Sequence, residues 1–396
     1  MRVSAIKTLL GCAVAMLAIG LSGCSTTEYV QANVTPAKQA VAQLPAHMYM
    51  DIGIVPFDAN IPTDPEVLEK QLIIPDVRRA EAQYLAYHLK DTIEQTGNWG
   101  AVRVTPEPSE AVDIHVSGKI VNSDGELLVV DVTAVDATGK TWLKKEYKDQ
   151  ASKFSYDKDV RDDPFQDLYN EIANDLLAYK NELSESEVQN VRQVAALTYA
   201  RSLSPEAFGK YLEERGNTLR VTQLPAETDR MLGRIDQIKE REYLFVDTLD
   251  DFYGQFYREM KPSYHEWRFA TYGEAIKLRQ LDRKARNRLI GGAALIAGGL
   301  YAGAESGTYA GQAASAGTVL GGIQAVRSGL ELRKDAEIHA ASLKELSASL
   351  GSEITPIVLD IEGKTIELKG TADAQYEQWR RILKEIYTAE TATPGS

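Results

Sequence analysis

Apolar positions along the chain change their period at a few sharp boundaries, and each change predicts an element. Met48 to Phe57 (MYMDIGIVPF) is a short apolar run stopped by Pro56, which reads as a strand. From Val77 to Gln95 the period becomes helical: Ala80, Tyr84, Tyr87, His88 and Ile93 fall near one face, and Gly97 breaks the helix. Val102-Arg103-Val104 is a second strand. Alternation takes over in Val112 to Ile120 and Leu127 to Val135, Asp136-Ala137-Thr138-Gly139 makes a turn, and Thr141 to Tyr147 returns. Strand, helix, strand and then an antiparallel meander predicts an α+β layer. Phe165, Leu168, Ile172, Leu176 and Tyr179, at intervals of three and four, predict a helix lying on that meander.

Between the meander and this helix, YDKDVRDDPF gathers Asp157, Asp159, Asp162 and Asp163. The segment lacks the Gly and closing Glu that a calcium loop of the EF-hand type requires. Helix capping accounts for it better, with Asp163 as N-cap, Pro164 at the first helical position and Gln166 completing a capping box. A second capping box, Ser184 with Glu187, opens a helical stretch whose Val188, Val191, Ala195 and Tyr199 share a face. Ser204-Pro205-Glu206 starts another helix, which Gly216 ends. Ten aromatics crowd Tyr243 to Tyr272. A sugar-stacking platform uses such rings, but Leu249, Tyr253, Phe256 and Met260 fall at helical spacing and predict a packing seam before Pro262.

From Arg268 to Arg288 the chain turns basic, and an apolar, glycine-rich run follows in which Glu305 is the sole charge before Arg327. Gly299, Gly303, Gly307 and Gly311 recur every four residues, and Gly317 with Gly321 repeats the interval. In a helix this spacing makes a smooth stripe for close backbone approach. Each Gly costs a helix about 0.8 to 1 kcal/mol against Ala, so the stripe requires a helical partner. Ala304-Glu305-Ser306-Gly307 offers a turn between two antiparallel helices packed through their glycines. Polar residues such as Gln312 and Gln324 dilute the second half, and the pattern leaves a membrane-inserted or self-associating hairpin and a tight soluble one both open. Beyond it, a helix from Ala336 to Leu350, strands at Ile354 to Ile361 and Lys364 to Lys369, and an amphipathic helix from Asp373 to Tyr387 predict a small αββα unit.

The N-terminus has the form of an export signal: Arg2 and Lys7, the apolar run LLGCAVAMLAIGL, then Leu21-Ser22-Gly23-Cys24. That run is too short for a comfortable transmembrane helix. Without its first 23 residues the chain moves from a formal charge of −13 to −15, losing Arg2 and Lys7. So acidic a surface argues against nucleic acid and against electrostatic docking on anionic lipid. Cys12 and Cys24 are the only cysteines, which excludes a disulfide framework and a thiolate metal site.

Leu21-Ser22-Gly23-Cys24 resembles the bacterial lipoprotein lipobox. The resemblance implies cleavage before Cys24, acylation of its sulfur, and, with Ser25 following, sorting to the outer membrane. The strand ending in Pro56-Phe57, the helix, AVDIHVSGKI and LLVVDVTAVDATGKTWLKKEY resemble the periplasmic domain shared by the N-terminal part of TolB, the curli secretion lipoprotein CsgG and the penicillin-binding-protein activator lipoproteins. That likeness implies binding to envelope proteins without catalysis. SPEAFGKYLEERG with AETDRMLGRIDQIKERE resembles one helix pair of a tetratricopeptide-like array. The glycine row resembles the glycine zipper of small outer-membrane lipoproteins. IVLDIEGKTIELKG, with Gly363, Leu368 and Gly370, resembles a BON domain, which implies a seat at an envelope membrane.

The five histidines are scattered, and no zinc, P-loop, dinucleotide or nucleophile-elbow motif occurs. His265-Glu266 is the nearest acid/base pair, but adjacent helical positions do not face each other. Carboxylates brought together by folding leave a peptidoglycan-active enzyme as a minor alternative. The expectation is therefore an α+β, non-enzymatic, lipid-anchored outer-membrane lipoprotein facing the periplasm, without cofactor or metal. It would act, alone or as a homo-oligomer, as a scaffold or accessory subunit of an envelope assembly or export machine, the alternative being an oligomeric pore that inserts its glycine-rich hairpins. Its parts are a signal peptide (1–23), a tether (24–46), an α+β domain (47–182), a helical region (184–288), a glycine-zipper hairpin (289–335), a BON-like unit (336–390) and a tail (391–396).

Overall fold

The structure, a computed structural model, describes residues 35–157, 160–226, 228–301, 341, 344, 345, 348, 357–361 and 364–392, with side chains for all of these except 69, 70, 278, 281–301, 358–361, 364, 390 and 392. Cys24, Gly303, Gly307, Gly311, Gly317, Gly321 and the turn expected at 304–307 lie outside the described residues.

Strand β1 (Ile52–Ile54) is buried at every position because it pairs on both sides, parallel to β2 (Val102–Val104) and to β3 (Ile114–Ser123). A strand so enclosed needs no polar alternation. From β3 the chain meanders through β4 (Leu127–Asp136) and β5 (Thr141–Gln150), giving one sheet of order β2-β1-β3-β4-β5. Alternation on the meander puts Val116, Ile120, Val130, Val132 and Ala134 inside, and Ser117, Lys119, Asp131, Lys144 and Glu146 in solvent. The short α1 (Pro65–Lys70) precedes α2 (Pro75–Gln95), which crosses from β1 to β2. Helix α2 is buried nearly all round, since it packs on β1, β2, α3 (Gln166–Glu182) and the long α6 (Arg230–Tyr301). The α+β class read from the pattern is the one found.

Helix α3 lies on the sheet through Leu168, Ile172 and Leu176, with Tyr179 stacked on Trp142 of β5. The capping box at Ser184 forms as expected and opens α4 (Glu185–Leu203). Two local expectations are corrected. No capping box opens α3: Phe165 is the residue before its first turn, and the side chains of Asp163 and Gln166 are engaged elsewhere. The Asp163 carboxylate accepts from the Phe165 amide, short of the first helical turn, and is also gripped by an arginine. Nor does a helix run from Pro205 to Gly216. It stops after one turn as α5 (Pro205–Phe208), and a hairpin of β6 (Leu212–Arg215) and β7 (Thr218–Val221) follows. Gly216, at φ +65°, with Asn217 forms the two-residue turn that Gly-Asn favours, so the helix pair of a tetratricopeptide unit is absent here.

The seam expected to end before Pro262 continues through it. Helix α6 is 72 residues long with Pro262 inside. Proline removes one backbone donor and costs a helix about 3 kcal/mol. Burial of Met260, Tyr264 and Trp267 on either side holds the helix together. Phe256, Tyr257, Met260, Tyr264, Trp267 and Tyr272 belong to the core under the sheet. A second core joins Ile235 to Tyr253 with α4, the β6–β7 hairpin and Tyr376, Trp379 and Leu383 of α7 (Ala372–Ala392). A hairpin of β8 (Ile357–Ile361) and β9 (Lys364–Leu368) precedes α7. One rod therefore runs through both cores.

Where α6 crosses the β3–β4 turn, the two backbones nearly touch. Gly125 has φ +84°, and a Cβ there would collide with the Arg268 carbonyl. Substituting Gly125→Ala is expected to lower stability by about 2 to 3 kcal/mol in urea unfolding, from backbone strain and from the lost approach together. A change under about 0.5 kcal/mol would show that this turn does not clamp the helix.

Candidate functional site

The most distinctive chemistry lies in the seam between α6, α2 and the segment before α3. Arg268 and Asp163 are each 1% exposed and meet as a two-pronged pair, Nη1 to Oδ1 at 3.0 Å and Nη2 to Oδ2 at 2.8 Å. The Tyr84 hydroxyl donates to Asp163 Oδ2 at 3.2 Å and the Phe165 amide to Oδ1 at 3.0 Å. The guanidinium sits 4.2 Å from the centre of the Tyr264 ring. Burial alone raises the Asp163 carboxyl, but Arg268 outweighs it and holds the group well below the ordinary carboxylate range. Burial likewise opposes the Arg268 charge, and Asp163 more than restores it.

One turn away along α2, Glu81 accepts from the Tyr264 hydroxyl and from Ser123 Oγ at 2.5 Å, and its other oxygen forms an ion pair with Arg78, 2.8 Å from Nε. The seam thus holds two cations and two carboxylates. His88 completes it. Its Nε2 lies 2.9 Å from Gln166 Oε1, an acceptor, so Nε2 carries the proton and Nδ1 accepts from the Tyr257 hydroxyl at 2.7 Å. Burial lowers the His88 pKa, in keeping with this neutral ring. Groups tied in this way are held in fixed positions.

The other half of α6 is held by a second polar cluster. Glu242, 1% exposed, accepts from Ser109 Oγ and from the Tyr376 hydroxyl, both at 3.1 Å, joining α6 to α7 and to the loop after β2. Beside it the Tyr243 hydroxyl donates to the Ala111 carbonyl at 2.6 Å and approaches Asp51 Oδ2 at 3.3 Å. Asp113, which receives the Asp51 amide at 2.8 Å, is pushed up to about 6, mainly by burial.

A cavity of about 200 Å³ lies between the sheet, α4 and the β6–β7 hairpin, with Glu110, His115, Asp136 and Thr198 in its wall. Asp136 is already committed to the Thr138 amide and hydroxyl, the Lys140 amide and Trp142 Nε1. Among the described residues no group of three or more His, Cys, Asp or Glu could hold a metal ion, and no helix is long and apolar enough to cross a membrane.

Of the residues singled out from the sequence, Gly299 lies on the backbone of α6 and Cys24 with the other zipper glycines is outside the described residues. The aromatic run 243–272 packs as core: Tyr253, Phe256, Tyr257, Tyr264 and Trp267 are buried. His265 is half-buried against Tyr156 while Glu266 points to solvent. Within the basic run, Arg279 is tied by Asp124 and Glu126 to the β3–β4 turn. Sequence reasoning missed Arg268, Glu81 and Glu242. Arg268 carried a legible signal, as a lone charge between Trp267 and Phe269 on the face that bears Tyr264. Comparison with known protein families, with curated proteins and with solved structures finds no match to this chain.

Removing one partner of a sealed pair strands the other. Asp163→Asn or Arg268→Met alone is expected to cost about 3 to 5 kcal/mol in chemical unfolding, and Asp163→Leu with Arg268→Met much less than the sum. Additive losses would show that the two do not act as a pair. Because the Asp163 pKa is lower folded than unfolded, its contribution is complete above the ordinary value of 3.8 and disappears as pH falls through and below it. The wild type should therefore lose more stability between pH 5 and 3 than the double variant, by about 1 kcal/mol or more. Parallel pH profiles would refute this.

Proposed function

We propose that this chain is a lipid-anchored outer-membrane lipoprotein facing the periplasm, which serves without catalysis as a scaffold or accessory subunit of an envelope assembly or export machine. The observation that carries the reading is the single rod α6, fixed in both cores and continuing past its last described anchor, Arg279, to Tyr301. That is about 33 Å of helix at 1.5 Å per residue, ending in the apolar run that begins at Leu289. A folded body that presents such a rod suits assembly on a partner. The lipobox resemblance at Cys24 supplies the anchor, since acyl chains contribute about 0.8 kcal/mol per buried CH2. The likeness of the α+β layer to partner-binding periplasmic domains supports the same reading, and so does the open polar face of the sheet.

A second reading is favoured by the continuity of α6 from the basic stretch into Leu289–Tyr301: several copies insert their glycine-rich segments together as a pore or transport component.

In the producing bacterium, Cys24→Ser is expected to abolish palmitate incorporation and release the protein from the membrane fraction. Persistent anchoring of the exported variant would sink the lipoprotein reading. For the pore, proteoliposome conductance should appear with the wild type and vanish with Gly303→Leu or Gly307→Leu. Conductance that is absent, or that survives these changes, rejects it.

A further inference from the structure

The sheet has two edges, and α6 covers one of them. At β2, the Val104 amide donates to Asp250 Oδ1 at 3.0 Å and Arg103 pairs with Asp247. Among the described residues the other edge, β5, pairs with β4 alone. Tyr147 stands opposite Val130, and one step beyond the strand the Ala151 amide donates to the Glu126 carbonyl. Alternation in an antiparallel ladder then aims the backbone groups of Lys145, Tyr147 and Asp149 at β4, and those of Lys144, Glu146, Lys148 and Gln150 outward. The Gln150 amide, at 2.7 Å from its neighbour Asp149 Oδ1, behaves as an outward amide. All four outward residues have exposed side chains.

The charges on this strand are complementary to themselves about Tyr147. Glu146 mirrors Lys148, Lys145 mirrors Asp149, and Lys144 mirrors Gln150. We propose that two copies of this chain pair antiparallel through β5 about a twofold axis at Tyr147, joining their sheets into one. In that register Glu146 lies opposite Lys148 of the second copy, and both residues offer outward amides and carbonyls, so they exchange both ladder hydrogen bonds. Tyr147 meets its own copy at a non-hydrogen-bonded position, and Lys145 faces Asp149 on the helix side. Registers centred on Lys145, Glu146 or Lys148 instead set a charge against itself, which is unfavourable. Lysines on an edge ordinarily deter pairing. Here the exposed Glu146 and Lys148 meet as opposite charges, and no like charges coincide at the other matching positions. An acidic peptide of another protein fits less well, because Glu146 and Asp149 would repel it.

This pairing goes beyond the anchoring proposal and is tested apart from it. The full chain in non-ionic detergent is examined by sedimentation velocity across a dilution series. A dimer is expected, with Glu146→Lys or Lys148→Glu each raising its dissociation constant roughly tenfold or more. The double variant, and an equimolar mixture of the two single ones, restore wild-type association, because both bring Lys opposite Glu again. Both positions are exposed, and unchanged circular dichroism checks the fold. A monomer at all concentrations, an oligomer indifferent to the single changes, or a double variant that fails to recover overturns the proposal. Cys24→Ser in the same assay leaves the dimer intact, so loss of the anchor and loss of the pairing are read separately.

Discussion

An arginine and an aspartate sealed from water decide where the longest helix of this protein sits. Taking both charges out of solvent costs several kcal/mol per ion, and their attraction offsets this only because the geometry is two-pronged and the remaining lone pairs are met by Tyr84 and the Phe165 amide. An apolar pair of the same volume would bind the helix at least as strongly. What the ion pair adds is position. The aromatic faces of Tyr253, Tyr257 and Tyr264 recur at helical intervals and would tolerate a slip of one turn, whereas a guanidinium fork does not. Three turns further on, Arg279 meets Asp124 and Glu126 on the same side of the rod and repeats the constraint.

This position matters because α6 passes through both cores. Isolated helices draw little stability from propensity, and Pro262 weakens this one further. Its persistence as one helix is therefore imposed by what it packs against: the sheet and α2 on one stretch, α4 and α7 on the other. Glu242 performs in the second core what Arg268 performs in the first, gathering Ser109 and Tyr376 onto a buried charge. The helix is thereby held in both cores at once.

The period of apolar residues revealed the sheet, its helices and the C-terminal hairpin because those elements each bury one face, and burial is what the pattern encodes. It failed where two local preferences competed. Asp163-Pro164 has the composition of a helix start, and nothing nearby in sequence announces that Arg268, more than a hundred positions later, will claim the carboxylate. The stretch from Pro205 to Gly216 has helical spacing, yet Gly209 and the Gly216-Asn217 turn convert it to a hairpin. Pro262 looked like a boundary because local rules forbid it inside a helix, and the contacts that override those rules are all long-range. For the candidate site, Arg268 was absorbed into the basic run that starts with it, and Glu81 and Glu242 lie on stretches rich in other charges, so none of the three stood out.

The two polar clusters along α6 respond to pH in opposite directions. Asp163 is held low, so its contribution is lost as the solution becomes acidic. Asp113 is pushed up to about 6 from an ordinary value of 3.8, so the folded protein binds its proton more tightly, and that advantage is lost as pH rises through the interval between those values. The Asp51 amide, Lys239 and Arg192 lower the Asp113 pKa and moderate the second effect, while the Asp51 carboxylate raises it further. Acid therefore loosens the middle of the rod while easing the strain near its beginning. Neutral conditions reverse the balance, and the grip at Arg268 is complete where carboxylates are ionised.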